Sequence, residues 1–329
     1  MRVAFTSCIC THAQPHQPVW TQILAAQPDY LLLLGDLMYL DSHTSTHPKQ
    51  MDVTEFTQVA HSRYVQLMEQ PQFRALVRHL GPGRVFATWD DHDFLWDNAY
   101  GANERADPSQ SDKVLRSTAL HQAFRRALAI GLKAGSFPSR YDDPELWRPD
   151  QGLLEVPSIP LGGQHVLHLC DVRTYRTRKE MLAPARRHLL GDRQRNKISA
   201  AVAQYGPDTI HLVASATTLD EWAEYPADLA WLRTLGAVRR ILVLSGDVHE
   251  NRVQHVGTAG FPVHELTSSG AAVRSLVTLG RQQQNFGMLD IGPVASTAEL
   301  YHFGRTQAEL TRILDHPSWS TGDKPNATN

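Results

Sequence analysis

The chain has 329 residues, enough for one large domain or two modest ones around a sizeable core. Hydrophobic residues make up 42 % and the formal charge is −2, from 32 basic and 34 acidic side chains. No general basic field exists to hold a nucleic acid or an anionic membrane, so any anionic ligand must be held locally.

Three cysteines, Cys8, Cys10 and Cys170, are too few and too odd in number for a disulfide framework. The 17 histidines raise the prospect of metal ligation, although most are expected at the surface or in packing. No apolar stretch approaches the roughly 20 residues that span a bilayer. The opening MRVAFTSCIC reads as a strand rather than a signal peptide, which gives the expectation of a cytoplasmic protein.

In chain order, Arg2 to Thr6 reads as a short buried strand, followed by a helix near Trp20 to Gln27. Tyr30 to Leu34 is a continuous apolar run that ends in Gly35, the mark of a strand buried on both faces. A polar loop follows over Asp41 to Gln50, then helical periodicity over Thr54 to Glu69 and Gln72 to Leu80, then a strand over Arg84 to Trp89. Asp90 to Gln110 reads as a polar loop, with Ser111 or Asp112 capping a helix that runs to about Leu132. Strands are expected over Leu153 to Ile159, Gln164 to Cys170, Ile210 to Ala214 and Arg239 to Leu244. Helices are expected over Asp192 to Gln204 and Leu229 to Leu235. Strand-like pieces near Gln254, Val263 to Thr267, Met288 to Ile291 and Ala298 to Phe303 complete a β-rich end. The alternation suggests an α/β fold of two packed sheets with helices outside. A single domain over 1–317 is expected, with 318–329 a polar, disordered tail.

Four strand ends carry similar punctuation: Ser7-Cys8, Gly35-Asp36-Leu37-Met38-Tyr39, Asp90-Asp91-His92-Asp93 and Gly246-Asp247-Val248-His249. Ligands of α/β sheets collect outside the carboxyl ends of the strands. If these strands are neighbours, Asp36, Asp91 and Asp247 repel one another, and bound cations would remove the conflict. That chemistry points to a metal-dependent hydrolase of phosphate esters.

The stretches FTSC, LLLLGDLMYLD, FATWDDHDF, LCDVRTYR, ILVLSGDVHE, ELTSSG and NFGMLDI occur in series from Phe5 to Ile291. The set resembles the PhoD-like (alkaline phosphatase D) branch of the calcineurin-like metallophosphoesterases. The resemblance implies a four-layer α/β/β/α sandwich, with Fe3+ and Ca2+ as cofactors and a small phosphate ester as substrate. It implies Cys8, Asp36, Tyr39 and His249 as the iron site, with Asp36 bridging to a second metal shared with Asp91 and Asp247. Thiolate and phenolate suit Fe3+, and carboxylates suit Ca2+. His92 stands where the family keeps a proton donor or transition-state stabiliser, and Arg173 where it keeps a phosphate-binding cation. Attack on phosphorus by a metal-bound hydroxide in line with the leaving group is the implied mechanism.

Plainer readings stand beside these. Cys8 can be a buried apolar residue, Asp36 a turn residue, and Asp90 a cap or a histidine-orienting group. Arg173 can pair with Asp171, and Arg176 is an equally available phosphate contact. The segment FLWDNAYG after WDDHD leaves the parts played by Asp97 and Asn98 open. Two other activities of the same fold, phosphodiesterase and phospholipase, remain alternatives. A metal-independent hydrolase using Cys8 and a non-catalytic anion-binding protein are the rivals of another class.

Overall fold

The computed structural model describes residues 1–146, 157–274, 282–302 and 306–323. The chain opens with β1 (Arg2–Thr6), α1 (Val19–Ala25), β2 (Tyr30–Leu34), α2 (Val53–Glu69), α3 (Pro71–Leu80) and β3 (Val85–Thr88). Asp52 starts α2 by accepting the Glu55 N–H at 2.8 Å, and Gln70 starts α3 by accepting that of Phe73 at 2.6 Å. Two short helices, α4 (Asp91–Phe94) and α5 (Gly101–Ala106), then interrupt what the sequence reads as a continuous loop. The long helix α6 (Ser111–Ala129) begins one residue earlier than expected: Gln110 is its cap, and Ser111 is already inside.

The second half runs β4 (Ser158–Gly162), β5 (His165–Leu169), α7 (Asp192–Ala203), β6 (Ile210–Ala214), α8 (Leu219–Trp222), α9 (Pro226–Gly236) and β7 (Arg240–Ser245). It closes with β8 (Asn251–Val256), β9 (Val263–Ser268), β10 (Phe286–Ile291), β11 (Ala295–Tyr301), β12 (Leu310–Asp315) and β13 (Ser320–Asp323). Of the strand expected over Leu153 to Ile159, residues 153–156 lie outside the described residues, and so does Phe303 at the end of the last expected strand.

Two sheets form. One has the order β13-β12-β11-β10-β1-β2-β3, the other β4-β5-β6-β7-β9-β8. Strands β1, β2 and β3 are mutually parallel, as are β5, β6, β7 and β9, so their carboxyl ends lie together within each sheet. Period-two alternation splits each buried strand between two cores. Val3, Phe5, Leu32 and Leu34 meet Leu212, Ala214, Leu242 and Leu244 between the sheets. Ala4, Leu31 and Leu33 face the other way, against α1, α2, α3 and α6. On the far side, Val213, Ile241 and Val243 pack on α7, α8 and α9. The result is the four-layer α/β/β/α sandwich. Each of the Val, Leu, Ile and Phe side chains among these contributes roughly 1.5–3 kcal/mol by leaving water.

Of the tail expected over 318–329, residues 318–323 are ordered, and 324–329 lie outside the described residues. Trp319 is 1 % exposed within the inter-sheet core, and Ser320–Asp323 pairs antiparallel with β12. The expectation of disorder weighed side-chain polarity, whereas the pairing of β13 is made by backbone groups. Among the described residues no helix is long and apolar enough to cross a membrane.

Candidate metal centre

The loops that leave β1, β2, β3, β5, β7 and β9 meet at one edge of the sandwich. Two glycines permit the approach. A Cβ on Gly246 would lie 2.4 Å from Ser7 Oγ and 2.8 Å from the Leu34 carbonyl. One on Gly35 would lie 2.8 Å from Asp90 Cβ, and Gly35 also has φ of +83°. The glycine of each Gly-Asp pair after β2 and β7 therefore leaves room where the sheets touch, and the aspartate beside it carries the side chain.

Backbone strain concentrates here. Cys8, Asp36, Asp247 and His249 all have left-handed φ, at 62°, 51°, 72° and 54°. A non-glycine residue held there costs of order 1–3 kcal/mol, and such strain gathers at functional sites.

These residues converge. Cys8 Sγ lies 3.4 Å from Asp36 Oδ2, and Tyr39 OH lies 3.0 Å from His249 Nε2. Two sets of ligand atoms each fit within 4.8 Å: Asp36 with Asp91 and His92, and Asp36 with Asp90 and Asp247. Asp36 belongs to both. Within the cluster Asp91 groups with His92 and Asp247 groups with Asp90, each pair about the same Asp36.

Charge is unbalanced in this cluster. Burial, then the neighbouring Cys8, pushes the Asp36 carboxyl well above its ordinary range. Burial together with Asp90 and Asp91 pushes Asp247 up to about 7, and burial also raises Asp90. Burial alone would raise Asp91 too, but Arg173 and His92 outweigh it and hold that carboxyl low. Burial lifts the Cys8 thiol to about 11 and raises the Tyr39 phenol. Asp36 Oδ1 and Asp90 Oδ2 are buried and accept no hydrogen bond. Buried acceptors without donors, beside a thiol and a phenol that burial keeps protonated, fit cations.

The chain carries this architecture from end to end: a model of the PhoD-like phosphatase family matches residues 3–313. The chain belongs to the PhoD-like phosphatase family. It is accordingly a phosphoric ester hydrolase. The solved structure of PhoD superposes with a TM-score of 0.69 at 15 % identity, covering 100 % of this chain and 72 % of that one. The Zn2+ complex of wild-type Vps29 from Entamoeba histolytica gives a TM-score of 0.37 at 11 % identity, covering 96 % of this chain and 99 % of that one. The phosphoesterase Yfce from E. coli gives 0.32 at 11 % identity, covering 94 % and 98 %. Among curated proteins, none matches the chain.

In this PhoD-like chain Arg173 is 2 % exposed, and its guanidinium pairs with Asp90 through Nε and approaches Asp91 Oδ2 at 3.6 Å through Nη2. Its side chain thus pairs with the acidic cluster rather than with Asp171, which instead accepts the Arg173 backbone N–H at 3.1 Å. Arg176 lies within electrostatic reach of Asp90, Asp91 and Asp247; its guanidinium is held by Glu221 and by the Tyr225 hydroxyl, and its Nη1 is buried without a hydrogen-bond partner. Asp97 reaches only 3.9 Å from His92 Nε2, and the Asn98 N–H donates to Asp91 Oδ2 at 2.7 Å.

Three residues of the site escaped the sequence reading. Asp41 holds His92, with Oδ1 2.7 Å from Nδ1, and accepts the Asp97 N–H at 2.7 Å. Asp93 accepts the N–H of Leu37 at 3.1 Å and that of Asp90 at 2.6 Å, so one carboxylate ties the loop after β2 to the loop after β3. Ser269 lies against both Cys8 and His249. Each stands inside a stretch that the sequence singles out, Asp41 in LLLLGDLMYLD, Asp93 in FATWDDHDF and Ser269 in ELTSSG, but the contacts that give them their parts are spatial.

Proposed function

We infer that this phosphoester hydrolase works with two cations enclosed by the strand-end cluster, Asp36 lying between them. Cys8, Tyr39 and His249 would complete one site with Asp36; Asp90, Asp91 and Asp247 supply oxygens toward the other. Iron(III) suits the thiolate–phenolate side and calcium the carboxylate side. The observation that carries the reading is the position of Asp36, whose Oδ2 lies 3.4 Å from Cys8 Sγ on one side while its carboxylate lies within 4.8 Å of Asp90 and Asp247 oxygens on the other.

When bound, such ions would acidify a water for attack on phosphorus and neutralise charge on the phosphoryl oxygens. The chain's own residues do the rest. His92 would carry the proton for the departing alcohol: the Asp41 carboxylate, 2.7 Å from Nδ1, favours the protonated ring and leaves Nε2 to donate. Arg173 balances Asp90 and Asp91, and its Nη1, which makes no hydrogen bond, is the donor available to a phosphoryl oxygen.

The thiol-hydrolase rival lacks its base. Cys8 is fully buried, and its sulfur neighbours Ser7, Ser269 and Asp36 rather than an imidazole. Assay of the purified chain with generic phosphomonoesters and phosphodiesters, before and after chelation, tests the proposal. Turnover that chelation abolishes and added metal restores supports it; turnover blocked by thiol alkylation but indifferent to chelators overturns it.

A further inference from the structure

The stretch ELTSSG forms the end of β9 and the two residues beyond it, and its second serine is fully buried beside two of the residues assigned to metal. Ser269 Oγ lies 3.0 Å from the His249 backbone nitrogen and 3.2 Å from Cys8 Sγ. A backbone N–H can only donate, so the hydroxyl oxygen accepts from His249. Its single hydrogen is then left to donate, and the Cys8 sulfur is the acceptor in reach. We propose that Ser269 is a positioning residue of the Cys8–Tyr39–His249 site, holding the sulfur by a hydroxyl hydrogen bond while the same oxygen fixes the His249 backbone. The inference rests on Cys8 being a metal ligand.

The hydroxyl is placed by the main chain. Ser269 N–H donates to the Glu250 carbonyl at 3.2 Å, and its own carbonyl accepts from Asn285 Nδ2 at 2.7 Å. The next residues run along the β1 end: the N–H groups of Gly270 and Ala271 donate to the Ser7 carbonyl and that of Ala272 to the Cys8 carbonyl, at 3.2, 2.9 and 3.1 Å. One rigid crossing therefore links a loop of the first sheet to a loop of the second.

The need is electrostatic. The Cys8 sulfur also faces Asp36 Oδ2 at 3.4 Å and the Asp247 carbonyl at 3.7 Å, both acceptors. A thiolate there meets lone pairs on that side, and Ser269 with Ser7 supplies the opposing donors, Ser7 Oγ lying 3.4 Å from the sulfur. Hydrogen bonds to a ligating sulfur change its electron donation to the metal, and loss of such an outer partner typically weakens metal binding about 10–100-fold.

Cobalt(II) is the probe, because a sulfur–cobalt bond gives a charge-transfer band in the near ultraviolet. The metal-stripped full chain, Ser269→Ala, Ser269→Thr and Cys8→Ser are titrated, with circular dichroism to confirm folding. The expected result is a band in the parent that Cys8→Ser abolishes, a shifted band with at least about 10-fold weaker binding in Ser269→Ala, and restoration in Ser269→Thr. Should Ser269→Ala fail to fold, Ser269→Gly, which also removes the hydroxyl and adds no ligand, is expected to shift the same band. A Cys8-dependent band whose position and affinity are unchanged by loss of the hydroxyl overturns the role of Ser269 alone. A parent chain with no Cys8-dependent band overturns the ligand assignment and this inference with it.

Discussion

Asp41 Oδ1 sits 2.7 Å from His92 Nδ1, leaving Nε2 as the nitrogen that faces outward from the pair. A carboxylate in this position fixes the tautomer and orientation of the ring and stabilises its charged form. Asp41→Asn is therefore expected to lower kcat on the order of 10²-fold, with KM little changed. The loss should be larger for alkyl phosphates than for p-nitrophenyl phosphate, whose leaving group needs no proton. An equal loss on both substrates would remove proton donation from His92.

Asp36→Asn removes the shared charge without adding strain, because asparagine tolerates the left-handed backbone that Asp36 adopts at φ 51°. Turnover should fall on the order of 10³-fold, the loss of several kcal/mol of transition-state stabilisation. The circular dichroism spectrum should stay that of the parent. Undiminished turnover would end the bridging assignment.

Asp93 presents acceptors to two N–H donors at once. In Asp93→Asn the amide nitrogen must face one of those donors, leaving a buried N–H unpaired at about 1–3 kcal/mol. Thermal unfolding should shift down by several degrees, and affinity for added metal should weaken with it. A variant of parental stability would show that the two loops are held by other contacts.

Acid sensitivity is expected from a site remote from the metals. His168 Nε2 lies 3.0 Å from His211 Nδ1, and Ser158 Oγ lies 2.8 Å from His168 Nδ1, all beneath the outer helices. Burial and the neighbouring His211 hold His168 down at about 3; burial and Arg239 hold His211 at about 4. Unfolded histidines titrate near 6.5, so below that pH protons are taken up by the unfolded chain first. The pair's contribution is complete above pH ~6.5 and is lost as pH falls toward the folded values, of order 2 kcal/mol per histidine by pH ~5. Urea midpoints should drop between these pH values, and the slope should shrink by about half in His211→Asn. An unchanged slope would contradict the neutral pair.

Trp319 tests the end of the chain. Trp319→Ala should cost about 3–5 kcal/mol, as for other buried aromatics. Its indole N–H donates to the Pro262 carbonyl at 2.9 Å, which a disordered segment could not do. A variant as stable as the parent would return this segment to the solvent.

Most of the sandwich was legible because its strands are apolar runs with clear ends, as in YLLLL before Gly35 and ILVL before Ser245. What escaped is what lacks a periodic signal. Helices α4 and α5 have four and six residues, too few for an amphipathic repeat. Strand β13 is polar, and its pairing uses backbone alone. The ligand candidates were legible as repeated strand-end punctuation. The division of Asp90 and Asp91 between two ligand sets was not, because adjacent residues in a tight turn part company only in three dimensions. The commitment of Arg176 to Glu221, 45 residues away, is equally invisible along the chain.

Elemental analysis of the purified chain, before and after chelation and read alongside turnover, bears most directly on the enclosed cations. About two metal ions per chain are expected, with turnover lost as they leave and recovered as they return. Full turnover by a metal-free sample would contradict the account.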